Sequence, residues 1–429
     1  MFAAMARSGS FAAADSPVTR SRARAARQQG GRAAGPAPAS PAKPEAPKQS
    51  LWKKMLTRSI VGVAMILFFL WIISSAYVMV ILPTLLVLLQ TFVFKEVVSV
   101  RYNDVKEKRL FLFRTLNWMF FGTTMVYFHA KHVLRAIFKL GFMQEETFAL
   151  SLRYHLWVSF TLFVIGFVTW ICTLKQGLLK FQFTQLAWTM LSLMLVVFQT
   201  ACVMSTLQEG LFWVVFPASM IICNDISAYF WGVFLGRKII DAPFVKLSPN
   251  KTWEGFLGAA ATTLAFSIPM CSYALEHRWF VCPAEYADSL SDCILPTAWT
   301  IQEWDLPDLA INVLRYLGHD QQTVWFAPVY MHGLILAAFA SLIAPFGGFF
   351  ASGMKRAHGI KDFDSIFPGH GGFYDRFDCQ LIMGLCTYVH YVTFIRTSAM
   401  SLGAVYNMVD QLSVADKQLL LRHLQSTIG

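Results

Sequence analysis

The sequence predicts an all-α polytopic membrane protein of about nine transmembrane helices, with a polar cavity facing the cytosol. Three observations carry that reading. Of 429 residues, 56% are hydrophobic and only 14% charged, where soluble domains sit at roughly a quarter charged; mean hydropathy is +0.49. Several apolar windows reach the roughly 20 residues needed to cross a hydrocarbon core about 30 Å thick. Backbone in lipid must satisfy its own hydrogen bonds, so such windows are expected to be helices. Finally, the net charge of +11 is unevenly spread: residues 1–58 hold eleven Lys/Arg against Asp15 and Glu45.

Taken in order, residues 1–58 come first, rich in Ala, Pro, Gly, Ser and Arg. Such a segment cannot bury a core. It is expected to be a disordered cytosolic tail whose basic charge obeys the positive-inside rule. Contact with anionic lipid and an Arg-rich organellar transit peptide are the other two readings. The spans then run 59–76, 77–94, 110–130, 156–173, 183–206, 211–236, 254–274, 328–351 and 380–398. Residues 59–206 form an N-terminal group of helices and 207–398 a catalytic transmembrane region. Residues 399–429 are a C-terminal tail, whose DKQLLLRHLQ run is a short amphipathic candidate for docking or dimerisation.

With the tail inside, alternation puts 95–109, 174–182, 237–253 and 352–379 in the cytosol, and these carry most of the remaining Lys/Arg, as the positive-inside rule asks. Loop 131–153 dissents: it falls on the lumenal side yet holds Lys131, Arg135, Lys139 and Arg153. The long acidic loop 276–325 is also lumenal. Cys282 and Cys293 share it, so one disulfide fits there. The eight cysteines include no CxxC, and no zinc spacing is present.

Residues 352–379 read SGMKRAHGIKDFDSIFPGHGGFYDRFDC, with four cations, four carboxylates and two histidines between oily segments. A topogenic loop needs Lys355, Arg356 and Lys361 but has no use for Asp362, Asp364, Asp375 and Asp378. Gly369, Gly371 and Gly372 around His370 allow backbone to approach something closely. Cations and bare N–H groups hold phosphate oxygens, while carboxylates hold Mg²⁺, which favours oxygen ligands and substrate phosphates.

Three further stretches add to this. In NDISAYFWGVFLG, 224–236, Asp225 lies inside a span, and a carboxylate at that depth is costly and functional by default; it should face a polar cavity. In LSPNKTWEG, 247–255, Ser248 suits an N-cap and Pro249 a first helical residue. A helix starting there would put Lys251 in its first turn, where an anion would relieve the dipole penalty. In QTFVFKE, 90–96, Gln90 and Glu96 are weaker candidates, since Lys95 and Glu96 read equally well as an interface anchor. His129 and His132 lack carboxylate company, and no metal role is assigned to them.

The 352–379 signature resembles that of the phosphatidate cytidylyltransferases, also called CDP-diacylglycerol synthases. The shared elements are Ser352-Gly353-Met354-Lys355-Arg356, Lys361-Asp362, Pro368 to Gly372 and Asp375-Arg376-Phe377-Asp378. One departure is Asp364-Ser365, where many members carry a small residue after the Lys-Asp pair. Residues 247–255 resemble the family's Ser-Pro-x-Lys-Thr-x-Glu-Gly motif; the Asn-Asp, Ala-Tyr, Gly pattern of 224–236 is similar to one in the same family, and Gln90, Phe94 and Glu96 of QTFVFKE resemble a eukaryotic-type feature. The resemblance implies CTP plus phosphatidate giving CDP-diacylglycerol plus pyrophosphate. It implies Mg²⁺, with two cation sites, held by Asp225, Asp362, Asp375 and Asp378. Catalytic roles would go to Asp225, Lys355, Arg356, Lys361, Asp362, His370, Arg376 and Asp378. Substrate contacts would go to Gln90, Glu96, Asn224, Ser248, Asn250, Lys251, Thr252, Glu254, Gly371 and Gly372. Membrane lipid is an expected partner and nucleic acid is not; a homodimer is left open. The expected location is the endoplasmic reticulum membrane, with N-terminus and active site cytosolic and a plastid or other organelle membrane as the alternative. The competing functions are a CTP-dependent polyprenol kinase of the dolichol type, releasing CDP, and an ion-coupled transporter, whose paired half-chain repeats are not evident.

Overall fold

The computed structural model describes residues 51–75, 77–101, 110, 112–245, 248–284, 290–293, 295–316, 318, 322–367, 371–396, 409 and 412–428. Most of the basic tail lies outside these residues, as do His370, Pro368 and Gly369. Side chains of Ser248 and Asn250 are likewise outside the description. By internal contacts the chain divides into units 1–53 and 54–429, and the second holds the fold.

The fold is mostly helical. In chain order the helices are α1 (Leu51–Ile73), α2 (Val78–Ser99), α3 (Phe113–Lys139), α4 (Glu145–Cys172), α5 (Leu179–Gln208) and α6 (Phe212–Phe234). A hairpin of β1 (Pro243–Val245) and β2 (Ser248–Thr252) leads into α7 (Trp253–Glu276). Next come a short α8 (Arg278–Val281), β3 (Gln302–Asp305), α9 (Asp308–Tyr316) and β4 (Thr323–Phe326), with β3 and β4 paired antiparallel. Helices α10 (Val329–Leu342), α11 (Pro345–Ala357), α12 (Tyr374–His390) and α13 (Val414–Ile428) follow. Among the described residues, α2, α4, α5, α6, α7 and the run α10–α11 are long and apolar enough to cross a membrane.

Local chemistry explains several boundaries. Pro345 opens α11 at its first turn, where a missing N–H costs nothing. Lys355 and Arg356 close the same helix, where the dipole favours cations. The charged segment expected to run as loop over 352–379 is therefore shorter, 358–373, with α11 reaching Ala357 and α12 starting at Tyr374. The 131–153 segment, expected as loop, is shorter too: α3 continues to Lys139 and α4 starts at Glu145, so Lys131, Arg135, Lys139 and Arg153 are helical and only 140–144 connect the two helices.

Two apolar clusters hold the bundle. One is built around Phe212, Trp213, Phe216 and Met220 of α6, with Ala337, Ala340 and Met383. The other gathers Phe94, Val97, Phe121, Val196, Met354 and Tyr374. It seats the end of α11 and the start of α12 against α2. The segment after α7 carries the Cys282–Cys293 disulfide.

Candidate active site

Asp225 stands past the middle of α6. Its side chain is surrounded by protein yet accessible, because it opens into a pocket between α6, α7 and α11. The pocket offers about 60 Å³ of water-accessible space. Its polar wall is Asn224, Asp225, Lys251 and Thr252; Phe244 and Phe349 form an apolar wall. Asn224 is buried, and its Oδ1 has no hydrogen-bond partner. Lys251 and Arg376 lie within electrostatic reach of Asp225, and so does Asp378. Elements distant in sequence therefore meet here: α6, the β2–α7 junction and α11 line the opening, and Arg376 and Asp378 of α12 lie within electrostatic reach of Asp225.

The junction differs from expectation in a way that matters. Ser248 does not cap a helix: residues 248–252 form strand β2, and Thr252 caps α7 by accepting from the Gly255 N–H at 3.2 Å. Pairing of Pro243 with Thr252 and Val245 with Ser248 in the hairpin outweighs the local Ser-Pro capping signal. Lys251 thus precedes the helix and extends at the pocket wall. Glu254 accepts backbone N–H bonds from Arg237, Ile239 and Ile240 at 3.2, 3.0 and 2.8 Å. It is a clamp on the chain leaving α6, not a free substrate ligand.

Asp378 rests in the seam between α11 and α12. Its Oδ1 accepts from the Cys379 N–H at 2.7 Å. A Cβ at Gly347 would come 2.5 Å from the Asp378 carbonyl, and one at Gly348 would stand 3.5 Å from Asp378 Oδ2. Gly347 and Gly348, which sequence reading passed over, let the two helices approach this closely; a small-residue pair inside a span was the available signal.

Asp375 has a different occupation. Its Oδ1 is 2.6 Å from Lys355 Nζ, and its Oδ2 accepts from the Phe363 and Gly372 N–H groups at 3.0 Å each. With three donors satisfied, it clasps the ends of the glycine-rich loop and leaves little for a metal. Lys355 is correspondingly paired and half-buried, lying against the Phe363 ring. Arg356, Lys361, Asp362 and Arg376 are exposed. Gly371, at φ +82°, exchanges backbone hydrogen bonds with Phe367. Among the described residues no group of three or more His, Cys, Asp or Glu gathers in metal-binding array, so the four expected ligands do not form one cluster.

Gln90 and Glu96 are both buried, at 1% and 3% exposure. Gln90 Oε1 is 3.2 Å from His129 Nε2, in the α2–α3 interface. Glu96 accepts from the Phe373 N–H through Oε1 and the Tyr374 N–H through Oε2, each at 2.9 Å. Neither side chain is presented to the pocket as a substrate ligand.

The oxygen donors that remain suit a hard divalent cation. Asp225 and Asp378 lie within electrostatic reach of each other, and Asn224, next to Asp225 in the chain, has an unpartnered Oδ1; Mg²⁺ is bound through one or two carboxylates plus substrate phosphates. A family model described as "Cytidylyltransferase family" matches residues 56–394. The chain is 44% identical over 386 residues to a "Probable phosphatidate cytidylyltransferase" of Dictyostelium discoideum, covering 89% of this chain and 79% of that protein. It is 39% identical over 352 residues to "Phosphatidate cytidylyltransferase 2" of Homo sapiens (81% and 76% covered). With human "Phosphatidate cytidylyltransferase 1" it shares 38% over 372 residues (84% and 77%).

Proposed function

The chain belongs to the cytidylyltransferase family, and on that premise we propose how its pocket serves the family's reaction. The protein transfers the cytidylyl group of CTP to phosphatidate, giving CDP-diacylglycerol and pyrophosphate. A phosphatidate oxygen bonds to the α-phosphorus of CTP while the α–β phosphoanhydride bond breaks, and the electron pair leaves with pyrophosphate. The nucleophile is already ionised at neutral pH, since a phosphate monoester has its second pKa near 6. No side chain has to remove a proton. The task left to the protein is to hold two polyanions together and stabilise leaving-group charge.

One observation carries the assignment of residues: Asp225, accessible past the middle of an apolar helix, shares its pocket with Lys251 and lies within reach of Arg376 and Asp378. Lys251 and Arg376 neutralise phosphate oxygens, and Thr252 fixes the helix start that presents Lys251. Asp225 and Asp378 are the residues that would hold Mg²⁺, with Asn224 beside them; the ion, when bound, supplies charge compensation for the triphosphate. Arg356, Lys361 and Asp362, exposed near the clasped loop, are assigned to the lipid headgroup; His370, outside the described residues, keeps its proposed role as a donor.

Three more helices, α1, α3 and α12, are proposed to cross the membrane as well, giving nine spans and a cytosolic pocket. The Cys282–Cys293 bridge supports an oxidising compartment for the 276–325 segment, in keeping with the endoplasmic reticulum. The test uses purified protein in detergent with CTP, phosphatidate and Mg²⁺. Pyrophosphate should appear only with lipid present, and the α-phosphorus of CTP should be retained in the lipid. Asp378→Asn and Asp225→Asn should each remove turnover from folded protein; near-normal rates would take these carboxylates out of the site.

A further inference from the structure

We propose that Glu96 is a positioning residue for the reaction: from α2 it holds the leading turn of α12 and thereby sets where Arg376 and Asp378 stand relative to Asp225. Four observations carry this. First, both oxygens of the Glu96 carboxylate are used, one on each of the Phe373 and Tyr374 N–H groups. These belong to the orphaned donors at the start of α12, and charge-assisted bonds of this kind are short and strong. Second, the residue is buried at 3% exposure, 277 positions away in sequence from the first N–H it accepts. Third, Gly372 is pressed onto it: a Cβ there would come 2.6 to 2.8 Å from all three carboxyl atoms. Fourth, the Phe92 ring stacks on Phe373 at 5.2 Å, so α2 grips the same turn twice.

Arg376 and Asp378 follow within about one and a half helical turns of the gripped amides. Rotation or slippage of that turn would carry both away from Asp225, which sits on another helix. Asp375 cannot take over the task, because its own oxygens are spent on Lys355, Phe363 and Gly372. Glu96 thus supplies the carboxylate link between α2 and the catalytic turn, beside the Phe92–Phe373 stack.

The proposal rests on the roles given above to Asp225 and Asp378, and the experiment separates the two claims. Glu96→Gln, Glu96→Asp, Glu96→Ala, Gly372→Ala and the double variant Glu96→Ala/Gly372→Ala are purified in detergent alongside Asp378→Asn. Glu96→Gln keeps shape but points an amide N–H₂ at one of the two donors. Its kcat should fall roughly 10- to 100-fold, as ångström-scale misplacement does, with KM for CTP within about threefold. Glu96→Asp should recover part of kcat. Gly372→Ala should lose kcat to a similar degree, and the double variant should be no worse than Glu96→Ala, since removing the carboxylate makes room for the methyl. Wild-type kcat in Glu96→Gln, or losses that multiply in the double variant, would overturn the proposal. So would failure of Glu96→Gln to accumulate as folded protein, which would assign the residue to stability alone. An active Asp378→Asn would instead remove the site reading on which the proposal stands.

Discussion

At the scale of single residues, the same side-chain chemistry divides into two occupations. Asp225 and Asp378 have oxygens left for a ligand, whereas Asp375, Glu96 and Glu254 have theirs taken by backbone N–H groups or Lys355. Identity alone did not separate them; hydrogen-bond partners did. The Lys355–Asp375 pair makes the difference testable. Its side chains are 14% and 2% exposed, and removing one partner of such a pair strands the other at roughly 3–5 kcal/mol. Asp375→Asn should therefore lower the unfolding midpoint in detergent substantially. Lys355→Met/Asp375→Asn should recover part of the loss, a pattern a metal ligand would not produce. A midpoint unchanged in Asp375→Asn would return the residue to the pool of ion ligands.

At the scale of elements, the β2–α7 junction shows how a local signal was outweighed. Ser248-Pro249 has the composition of a helix start. The hairpin with 243–245 claims those residues for a strand, so the start moves to Thr252 and Trp253. Thr252→Ala should then cost about 1 kcal/mol of cap energy and free Lys251 to wander. The expected readout is a KM for CTP raised several-fold with a smaller change in kcat, restored in Thr252→Ser. The same substitution at Ser248, now a strand residue, should leave KM near wild type. The α11–α12 seam makes a parallel point: PFGGFF looked like an ordinary apolar stretch, yet Gly347 and Gly348 are what admit the backbone and carboxylate of Asp378.

For the whole molecule, residues of α6, of the start of α7 and of the first turns of α12 come within electrostatic reach of one another, and the disulfide-bearing segment belongs to the connection between α7 and α10. The proposed orientation predicts opposite labelling of the two. In sealed, cytosol-side-out vesicles lacking the exposed Cys172, Ser365→Cys should react with a membrane-impermeant maleimide at once. Glu303→Cys should react only after permeabilisation. The reverse pattern would invert the topology and move the pocket to the lumen. The span boundaries legible in advance were the apolar ones; α11 and α12 ran past theirs because charged residues at helix ends are stabilised by the dipole and by each other.

From its letters alone this chain declared itself a multi-helix membrane protein and marked where its polar work is done. Ionised groups within apolar runs are too costly in lipid to be incidental, and Asp225 and the 352–379 cluster stood out for that reason. Folding decided which of those groups are free. A carboxylate's availability depends on donors within about 3 Å, and for Glu96 the nearer of these lie 277 and 278 residues along the chain. No window of neighbouring residues contains that information; only the packing of α2 against α12 does.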